Sequence, residues 1–317
     1  MNILVTGGSG FLGCNMVKKL SNFENNKIYI VDNLSTGKKE NIESFLNEKV
    51  HFIEMDICDP NSITLIKELK IEEIYNFACP ASPKYYLEHP IETMMASVVG
   101  VKNLLDSIVN TKIKFFHSST SEVYGNALIS PQNEEYWGNV NPIGVRACYD
   151  EGKRTAECLI YDYIRKYNVD VRVARLFNTY GPGMCLDDGR VISNFIVQAL
   201  QDKDITVHGD GRQTRSFCYV DDTIEGIYRL MNLKIMPLTP INIGNPDEQN
   251  VIDVANYIKN KLNSNSSIIY CNKMSDDPQK RKPNISKANS LLKWKPIVNF
   301  DDGIMYTIVY FKNKIFK

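Results

Sequence analysis

The sequence has no excess of charge of either sign, because 37 lysines and arginines balance 37 aspartates and glutamates, giving a pI near 6.9. Such a chain lacks the basic field that attracts nucleic acid or an anionic membrane. It also lacks the run of ~18 apolar residues that a membrane helix requires, since Lys102 and Asp106 interrupt the apolar stretch at 97–109. We therefore expect no nucleic-acid partner and no membrane span.

Cysteine and histidine motifs are missing as well. The eight cysteines form no C-x-x-C pair and no metal-ligand spacing, and the four histidines are scattered. This distribution favours reduced thiols over a disulfide framework and predicts no metal site. Because the first strand pattern follows Met1 directly, we expect no N-terminal targeting peptide and a cytoplasmic location.

Short apolar runs alternate with helical patterns in the first part of the chain. The strand patterns lie at 2–6, 28–32, 50–54, 73–77, 114–118 and 170–175. The helical patterns lie at 10–21, 61–70, 90–110 and 149–167. This alternation predicts an α/β fold with a Rossmann-like, doubly wound parallel sheet, which binds ligands at the carboxyl ends of its strands.

The pattern changes near Asn178, where turns rich in glycine, proline and aspartate begin. Helical patterns follow at 191–202, 221–232 and 250–262, with short strand patterns at 205–208 and 241–243. We predict a first domain at 1–177 and a smaller C-terminal α/β lobe at 178–317. Some segments of the lobe are expected to pack back onto the first domain.

A glycine-rich segment follows the first strand pattern, where Gly7, Gly10 and Gly13 form G-x-x-G-x-x-G at the start of a helix. Glycines let the backbone approach a pyrophosphate, and the helix N-terminus stabilises its negative charge. Asp32 lies 19 positions beyond Gly13 at the end of the second strand, where a carboxylate binds an adenosine ribose. Because a carboxylate repels a 2′-phosphate, this motif favours NAD over NADP. The predicted cofactor contacts are Gly7, Gly10, Phe11, Leu12, Gly13, Asp32, Asn33, Asp56, Ile57, Tyr149 and Lys153.

Asp56 and Ile57 are also compatible with a plain turn after the third strand. Because the glycine-rich segment and Asp32 both lie in the first domain, we interpret it as the NAD-binding domain. The second lobe is expected to bind the substrate.

Tyr149 and Lys153 are four residues apart in a helical pattern and should lie on one face of it. Lys153, together with the positive charge of an oxidised nicotinamide, should lower the tyrosine pKa from about 10. Such a tyrosine can take a proton from a sugar hydroxyl, and Thr120 or Ser121 at the end of the fifth strand could bond the same hydroxyl. An unremarkable helical pair is the alternative interpretation, since this spacing is common by chance.

Long stretches of the chain resemble the extended short-chain dehydrogenase/reductases that modify nucleotide sugars, an NAD-dependent epimerase/dehydratase family. Within it, the sequence is most similar to the UDP-glucuronate decarboxylases. The matching stretches are 78–83, 119–125, 136–144, 148–154, 175–182, 188–191, 213–217 and 276–283. The most specific is Asp277-Pro278-Gln279-Lys280-Arg281-Lys282-Pro283.

The resemblance implies UDP-glucuronate as substrate, NAD as cofactor and a homodimer built from the helices near 90–110 and 149–167. It also implies a catalytic set of Thr120, Ser121, Glu122, Tyr149, Lys153 and Arg281, with Glu122 and Arg281 positioning the sugar acid and managing a proton at C5. A tight arginine clamp on the substrate carboxylate would oppose CO2 loss. We therefore predict that Arg281 orients the sugar and holds water.

The substrate contacts implied by the resemblance are Tyr86, Asn178, Arg190, Gln213, Arg215 and Tyr219. Arginine suits a diphosphate, because its planar fork donates two hydrogen bonds at once. Ordinary loop structure remains an alternative for Gln213 and Tyr219, and packing remains one for Tyr86.

The reaction implied by the resemblance begins with oxidation of C4, which creates a ketone β to the C6 carboxylate. Loss of CO2 and re-reduction of C4 then give UDP-xylose. Ser121 argues against a sugar 4,6-dehydratase, whose Asp beside the Glu serves to expel water. The alternatives left open are release of a UDP-4-keto-pentose with NADH, another UDP- or dTDP-sugar 4-epimerase or 4,6-dehydratase, and a non-catalytic NAD-binding scaffold.

Overall fold

A computed structural model describes residues 1–273 and 276–316. The strands are β1 (Asn2–Thr6), β2 (Lys27–Asp32), β3 (Val50–Glu54), β4 (Glu73–Asn76), β5 (Lys114–Thr120), β6 (Asp170–Leu176), β7 (Thr179–Tyr180), β8 (Ile205–His208), β9 (Thr214–Ser216), β10 (Cys218–Tyr219), β11 (Ile241–Ile243), β12 (Glu248–Asn250), β13 (Ile268–Cys271) and β14 (Lys280–Arg281). Seven of them form a parallel sheet in the order β11-β6-β5-β4-β1-β2-β3. The doubly wound sheet predicted from the sequence is confirmed.

The helices are α1 (Phe11–Ser21), α2 (Asn61–Glu68), α3 (Pro83–Glu88), α4 (Pro90–Met95), α5 (Val101–Ile108), α6 (Ala147–Tyr167), α7 (Val191–Leu200), α8 (Val220–Met231), α9 (Val251–Leu262), α10 (Ser286–Leu292) and α11 (Phe300–Ile315). The helix predicted at 90–110 contains a π-helical segment, Ala96–Gly100, between α4 and α5. A Cβ on Gly100 would lie 2.4 Å from Ile57. A side chain at position 100 would therefore require Ile57, in the loop after β3, to move.

Apolar side chains of the central strands alternate between the two faces of the sheet, as the strand geometry requires. On one face, Leu4 packs in a core that includes residues of α5 and α6. On the other face, Ile3 and Val5 join a larger core that includes residues of α1, α8 and the C-terminal lobe. Because helices cover both faces, the parallel sheet is buried, as such sheets usually are.

The C-terminal lobe contributes one strand to the central sheet, since β11 pairs with β6. Its remaining pairs are β8 with β13, β9 with β12 and β14, and β7 with β10. Helix α8 also contacts β5 and β6. The segments from 178 onward are thus interleaved with the first domain. In the ranges given above, no helix has both the length and the apolar character needed to cross a membrane.

The carboxyl ends of the central strands meet at one edge of the sheet. Thr120 at the end of β5 is in register with Leu176 at the end of β6. Asp32 ends β2, and Gly7 directly follows β1. The fold therefore gathers motifs that are far apart in sequence at the edge where such sheets bind ligands.

Candidate active site

A cleft of about 340 Å³ opens at this edge of the sheet. Its wall combines the loop after β1, the ends of β2 and β5, the start of α6 and the segment after β6. The predicted site residues that line it are Gly7, Gly10, Phe11, Leu12, Gly13, Asp32, Asn33, Asp56, Ile57, Tyr86, Thr120, Ser121, Glu122, Tyr149, Lys153, Asn178 and Arg190. The cleft thus unites the predicted cofactor contacts and most of the predicted catalytic and substrate residues.

The glycine-rich loop is too tight to hold side chains at its key positions. Gly7 adopts a left-handed φ of 67°, and its N–H donates to the Val31 carbonyl at 2.8 Å. A Cβ on Gly13 would lie 2.1 Å from the Gly7 oxygen. The first turn of α1 carries no acidic residue. The backbone can therefore approach a diphosphate at a helix N-terminus that favours negative charge.

Asp32 is held at the neighbouring position by two backbone donors. The Ser9 N–H donates to Oδ2 at 2.9 Å, and the Leu34 N–H donates to Oδ1 at 2.8 Å. Burial raises the pKa of the Asp32 carboxyl, although these two hydrogen bonds act against the rise. The Asn33 amide donates to Asp56 Oδ2 at 2.9 Å, which ties the loop after β2 to the loop after β3. This carboxylate and the glycine cradle fit the adenosine half of NAD.

Tyr149 and Lys153 lie on the buried face of α6. The Lys153 ammonium donates to the Ser118 carbonyl at 2.7 Å and lies 5.9 Å from the centre of the Tyr149 ring. Burial raises the pKa of Tyr149, and the nearby Cys79 adds to the rise, whereas a hydrogen bond with Thr120 opposes it.

The predicted lowering of the Tyr149 pKa is therefore not produced by the protein's own groups. Burial penalises the phenolate, and it also lowers the pKa of Lys153. The predicted lowering depends on the lysine together with the charge of an oxidised nicotinamide. A lowered Tyr149 pKa therefore stays a prediction for the protein with the oxidised cofactor bound.

Tyr86 packs flat against Tyr149. Their ring centres are 5.3 Å apart and their planes differ by 6°. Tyr86 is 1% exposed, and its hydroxyl has no hydrogen-bond partner in the part of the chain that the structure describes. The ring thus packs against Tyr149 at the wall of the cleft. The substrate contact assigned to Tyr86 stays a prediction.

Glu122 lies between two arginines at the inner end of the cleft. Arg281 donates through Nη1 to Oε1 at 2.8 Å and through Nη2 to Oε2 at 2.9 Å. Arg146 Nη2 donates to the same Oε2 at 2.5 Å. Arg281 also approaches Asn178, with 3.4 Å between Nη1 and Oδ1. Arg281 does not line the cleft itself but lies directly behind Glu122.

Arg146 and Asp277 complete this cluster, although the sequence analysis assigned no role to either. Asp277 accepts from Arg215 Nη2 at 2.6 Å, and Arg146 Nη1 lies 3.6 Å from its other oxygen. Burial raises the pKa of Asp277, but Arg215, Arg281 and Arg146 outweigh it, so that the pKa lies below its ordinary value. Burial and the neighbouring Arg281 lower the pKa of Arg215 to about 10. The cluster holds the guanidinium groups of Arg146, Arg215 and Arg281 and the carboxylates of Glu122 and Asp277.

One sequence signal could have revealed Arg146. It directly precedes α6, where the positive end of the helix dipole disfavours an arginine. An arginine in that position needs carboxylate partners. Its partners Glu122 and Asp277 are distant in sequence, so local patterns could not identify them.

Asp150 is a further buried carboxyl that the sequence analysis did not single out. Its Oδ2 lies 3.9 Å from Arg146 Nε, and its Oδ1 has no hydrogen-bond partner within the described ranges. Burial and the nearby Glu122 raise the pKa of Asp150 to about 7, with Arg146 and Arg281 acting in the opposite direction.

Gln213 and Tyr219 are not brought to the cleft, so the structure gives no support to their assignment as substrate contacts. The Gln213 amide donates to the His208 carbonyl at 2.7 Å within the turn between β8 and β9. The Tyr219 ring packs against Tyr180 and Tyr306 in the main core. The alternative of ordinary local structure explains both positions.

Two other predicted substrate residues are already paired. Arg215 is buried behind Glu122 in the arginine cluster rather than in the cleft wall. Arg190 forms an ion pair with Asp188, and its guanidinium carbon lies 5.4 Å from the centre of the Phe11 ring. Arg190 is thereby placed beside the glycine-rich loop, at the diphosphate end of the cleft.

Comparisons with known proteins agree with this site. The family model described as GDP-mannose 4,6 dehydratase matches residues 4–307. UDP-glucuronic acid decarboxylase 2 of Arabidopsis thaliana is 46% identical over 317 residues, covering 100% of this chain and 69% of that protein. UDP-glucuronic acid decarboxylase 1 of Xenopus tropicalis is 44% identical over 314 residues, covering 99% of this chain and 72% of that protein.

Solved structures are similar along the whole chain. UDP-glucuronic acid 4-epimerase from Bacillus cereus, in complex with UDP-glucuronic acid and NAD, superposes with a TM-score of 0.88 at 27% identity, covering 99% of this chain and 100% of that one. UDP-glucose 4-epimerase from Thermotoga maritima, with UDP-glucose, gives a TM-score of 0.90 at 27% identity with the same coverage.

Proposed function

We propose that this chain, which belongs to the GDP-mannose 4,6-dehydratase family, catalyses the NAD-dependent decarboxylation of UDP-glucuronate to UDP-xylose and CO2. The observation that carries the proposal is the Glu122–Arg281 pair directly behind a cleft that contains Tyr149. The decarboxylases that are 44–46% identical along essentially the whole chain support the same substrate. Ser121 occupies the position where a 4,6-dehydratase would need a general acid.

NAD is the cofactor, and when bound it supplies the reversible oxidation of the sugar at C4. The chain's own contribution is to bind and orient it. The loop from Gly7 to Gly13 and the N-terminus of α1 receive the diphosphate. The Asp32 carboxylate accepts hydrogen bonds from the hydroxyls of the adenosine ribose. It uses the oxygen lone pairs that the Ser9 and Leu34 N–H groups leave free.

Tyr149 acts as general base and then as general acid toward the C4 hydroxyl. Its oxygen takes this proton when C4 becomes a ketone and returns it when the hydroxyl is restored. The Thr120 hydroxyl hydrogen-bonds the tyrosine, which stabilises the phenolate form. Lys153, fixed by its bond to the Ser118 carbonyl, keeps a positive charge beside the ring.

Loss of CO2 is helped by the same hydroxyl groups. A C4 ketone lies β to the carboxylate, so the electron pair left at C5 delocalises onto the C4 oxygen. Tyr149 and Thr120 stabilise the negative charge that develops on this oxygen. A proton then bonds to C5.

The arginine cluster orients the sugar acid without clamping it. Arg146, Arg215 and Arg281 outnumber the carboxylates of Glu122 and Asp277 by one charge when the neighbouring Asp150 carboxyl is protonated, and this excess attracts an anionic substrate. Glu122 engages both terminal nitrogens of Arg281. Since a fully engaged arginine binds the ground-state carboxylate less tightly, the cluster avoids opposing CO2 loss.

The active form is proposed to be a homodimer. Ile91, Met95 and Val99 are spaced four residues apart along α4 and the π-helical segment, and each is exposed, with Ile91 72% exposed. Such a stripe on one helix face favours burial against a second copy. Size-exclusion chromatography with light scattering should give twice the 36.2 kDa chain mass, whereas Ile91→Glu should give monomers. The cytoplasmic location stays a prediction.

The function is tested by proton NMR of the purified protein with UDP-glucuronate and NAD, beside UDP-glucose and UDP-galactose controls. Signals of UDP-xylose without accumulating NADH are expected. A UDP-4-keto-pentose with an equal amount of NADH would reassign the released product. Conversion of UDP-glucuronate to its C4 epimer, or reaction of only a neutral sugar, would overturn the decarboxylase assignment.

A further inference from the structure

The proposed decarboxylation consumes one proton per turnover. CO2 leaves from a carboxylate, and the carbon–hydrogen bond that replaces it at C5 needs a proton from solvent. Tyr149 cannot supply this proton on balance, because it takes one proton from the C4 hydroxyl and returns the same one. A proton donor other than Tyr149 must therefore serve C5. The inference below rests on the proposed function.

A second cavity lies behind the arginine cluster. Its volume is about 270 Å³, and the side chains around it are mostly polar, including those of Asn126, Asn139, Asn141, Asp150 and Asp276. Arg146 lines both this cavity and the main cleft. The Arg146 side chain thus forms a shared wall between the two spaces.

Asp150 and Tyr149 are neighbours in α6 that face different spaces. Tyr149 lines the cleft, whereas Asp150 lines the second cavity. Successive residues of a helix point about 100° apart, which explains the division. Asp150 is 6% exposed, and neither its Oδ1 nor the adjacent Arg146 Nε has a hydrogen-bond partner among the described residues. Buried polar atoms of this kind call for a function.

We propose that the Asp150 carboxyl takes up, from water in the second cavity, the proton that replaces CO2 at C5. Asp150 then relays this proton past Arg146 to the Glu122 end of the cleft. In the uptake step, an oxygen–hydrogen bond forms at Asp150 from a protonated water or buffer acid. In the delivery step, that bond breaks, the proton passes through water to C5, and the electron pair left by CO2 becomes the new carbon–hydrogen bond. Asp150 returns to the carboxylate, so one solvent proton is consumed for each CO2.

The surroundings of Asp150 suit a proton carrier. The titratable and charged groups around its carboxyl are Tyr86, Glu122, Arg146, Cys148, Glu151 and Arg281. Lys273, Asp276 and Asp277 line the same cavity. Burial and Glu122 together hold the carboxyl pKa near neutrality, where a group both accepts and donates protons readily.

The test uses Asp150→Asn in the full-length enzyme, because asparagine keeps the shape but carries no exchangeable acid proton. Single-turnover absorbance follows oxidation of C4, and NMR follows formation of UDP-xylose. We expect oxidation and the KM for UDP-glucuronate to be unchanged, while kcat falls on the order of 10²-fold. The inflection of kcat near pH 7 should disappear. Imidazole, a small acid that fits the cavity, should restore part of the rate.

Asp276→Asn is the matched control, since Asp276 is an exposed carboxylate in the same cavity and asparagine tolerates its left-handed φ of 57°. It should behave like the wild type. The relay is overturned by an Asp150→Asn enzyme with the wild-type kcat and pH profile. It is equally overturned by a variant that loses oxidation and decarboxylation together and is not rescued by imidazole. Failure of the proposed function is distinguishable, because the wild type itself would then form no UDP-xylose.

Discussion

Glu122 and Arg281 form a two-point ion pair, with 2.8 Å between Oε1 and Nη1 and 2.9 Å between Oε2 and Nη2. Both side chains are buried, and 159 positions separate them in the sequence. Burial of an unpaired charge is strongly unfavourable, so each residue requires the other. The pair therefore fixes β14 of the C-terminal lobe against the end of β5 in the first domain.

Arg281→Lys tests the two-point geometry. A lysine keeps the charge, but its single ammonium nitrogen cannot reproduce the planar fork. Loss of one charge-assisted hydrogen bond, about 1.5–3 kcal/mol, should lower the melting temperature by a few degrees and kcat roughly tenfold or more. Calorimetry and the NMR assay measure the two effects. Lys280→Ala, at the exposed neighbouring position, should change neither. A wild-type kcat in Arg281→Lys would remove Arg281 from the proposed mechanism.

Tyr149→Phe tests the proton transfer at C4. The variant retains the ring that stacks on Tyr86 but lacks the hydroxyl. Turnover should fall by about 10²–10⁴-fold, whereas NAD affinity, measured by fluorescence titration, should stay within a fewfold of wild type. Tyr167→Phe, at the exposed end of the same helix, serves as the control. Substantial turnover by Tyr149→Phe would assign the proton transfer to another group, and a cellular role that survives it would favour the scaffold alternative.

Asp32→Ala tests the cofactor assignment. The carboxylate would no longer bind the ribose or hold the Ser9 and Leu34 N–H groups. Hydrogen bonds to a charged group contribute about 1.5–3 kcal/mol, so NAD should bind about 10- to 100-fold more weakly. The neighbouring strand offers Glu54→Ala as a control, because Glu54 is exposed and in register with Asp32. Unchanged NAD affinity in Asp32→Ala would contradict the predicted ribose contact.

Local sequence patterns predicted the sheet and the cofactor end of the cleft. Gly7, Gly13 and Asp32 are recognisable because each adjoins a strand with a regular apolar pattern. Helix α11 was not predicted, although Asn299 caps it by accepting the Asp302 N–H at 2.9 Å and lysines occupy its last turn. Both cues are present in the sequence.

The inner end of the site could not be derived from local patterns. Arg146, Asp277 and Asp150 acquire their roles from contacts with Glu122 and Arg215, which are remote in sequence. The resemblance to a family identified Glu122 and Arg281 as catalytic candidates. It did not reveal the charged side chains that surround them. The burial that raises the Tyr149 pKa in the chain alone was equally out of reach of local patterns, since burial depends on tertiary packing.

The pH dependence of stability gives an independent test of the Asp150 environment. The folded-state pKa of about 7 lies above the ordinary value of 3.8. Between these two values the unfolded chain has released the Asp150 proton while the folded protein retains it. The contribution of Asp150 to the free energy of unfolding therefore falls as the pH rises through this window, and it is lost above the folded-state pKa.

Asp150→Asn removes this titration, because the amide stays neutral at every pH. Relative to wild type, the variant should gain stability as the pH is raised from about 4 to 8, by a few degrees in melting temperature. Thermal unfolding at a series of pH values measures the difference between the two proteins. Asp276→Asn should instead follow the wild-type curve, since its carboxylate is exposed to solvent. A constant difference between wild type and Asp150→Asn across this range would mean that Asp150 is already ionised at pH 4 in the folded protein, and a carboxylate of that kind could not carry protons near neutrality.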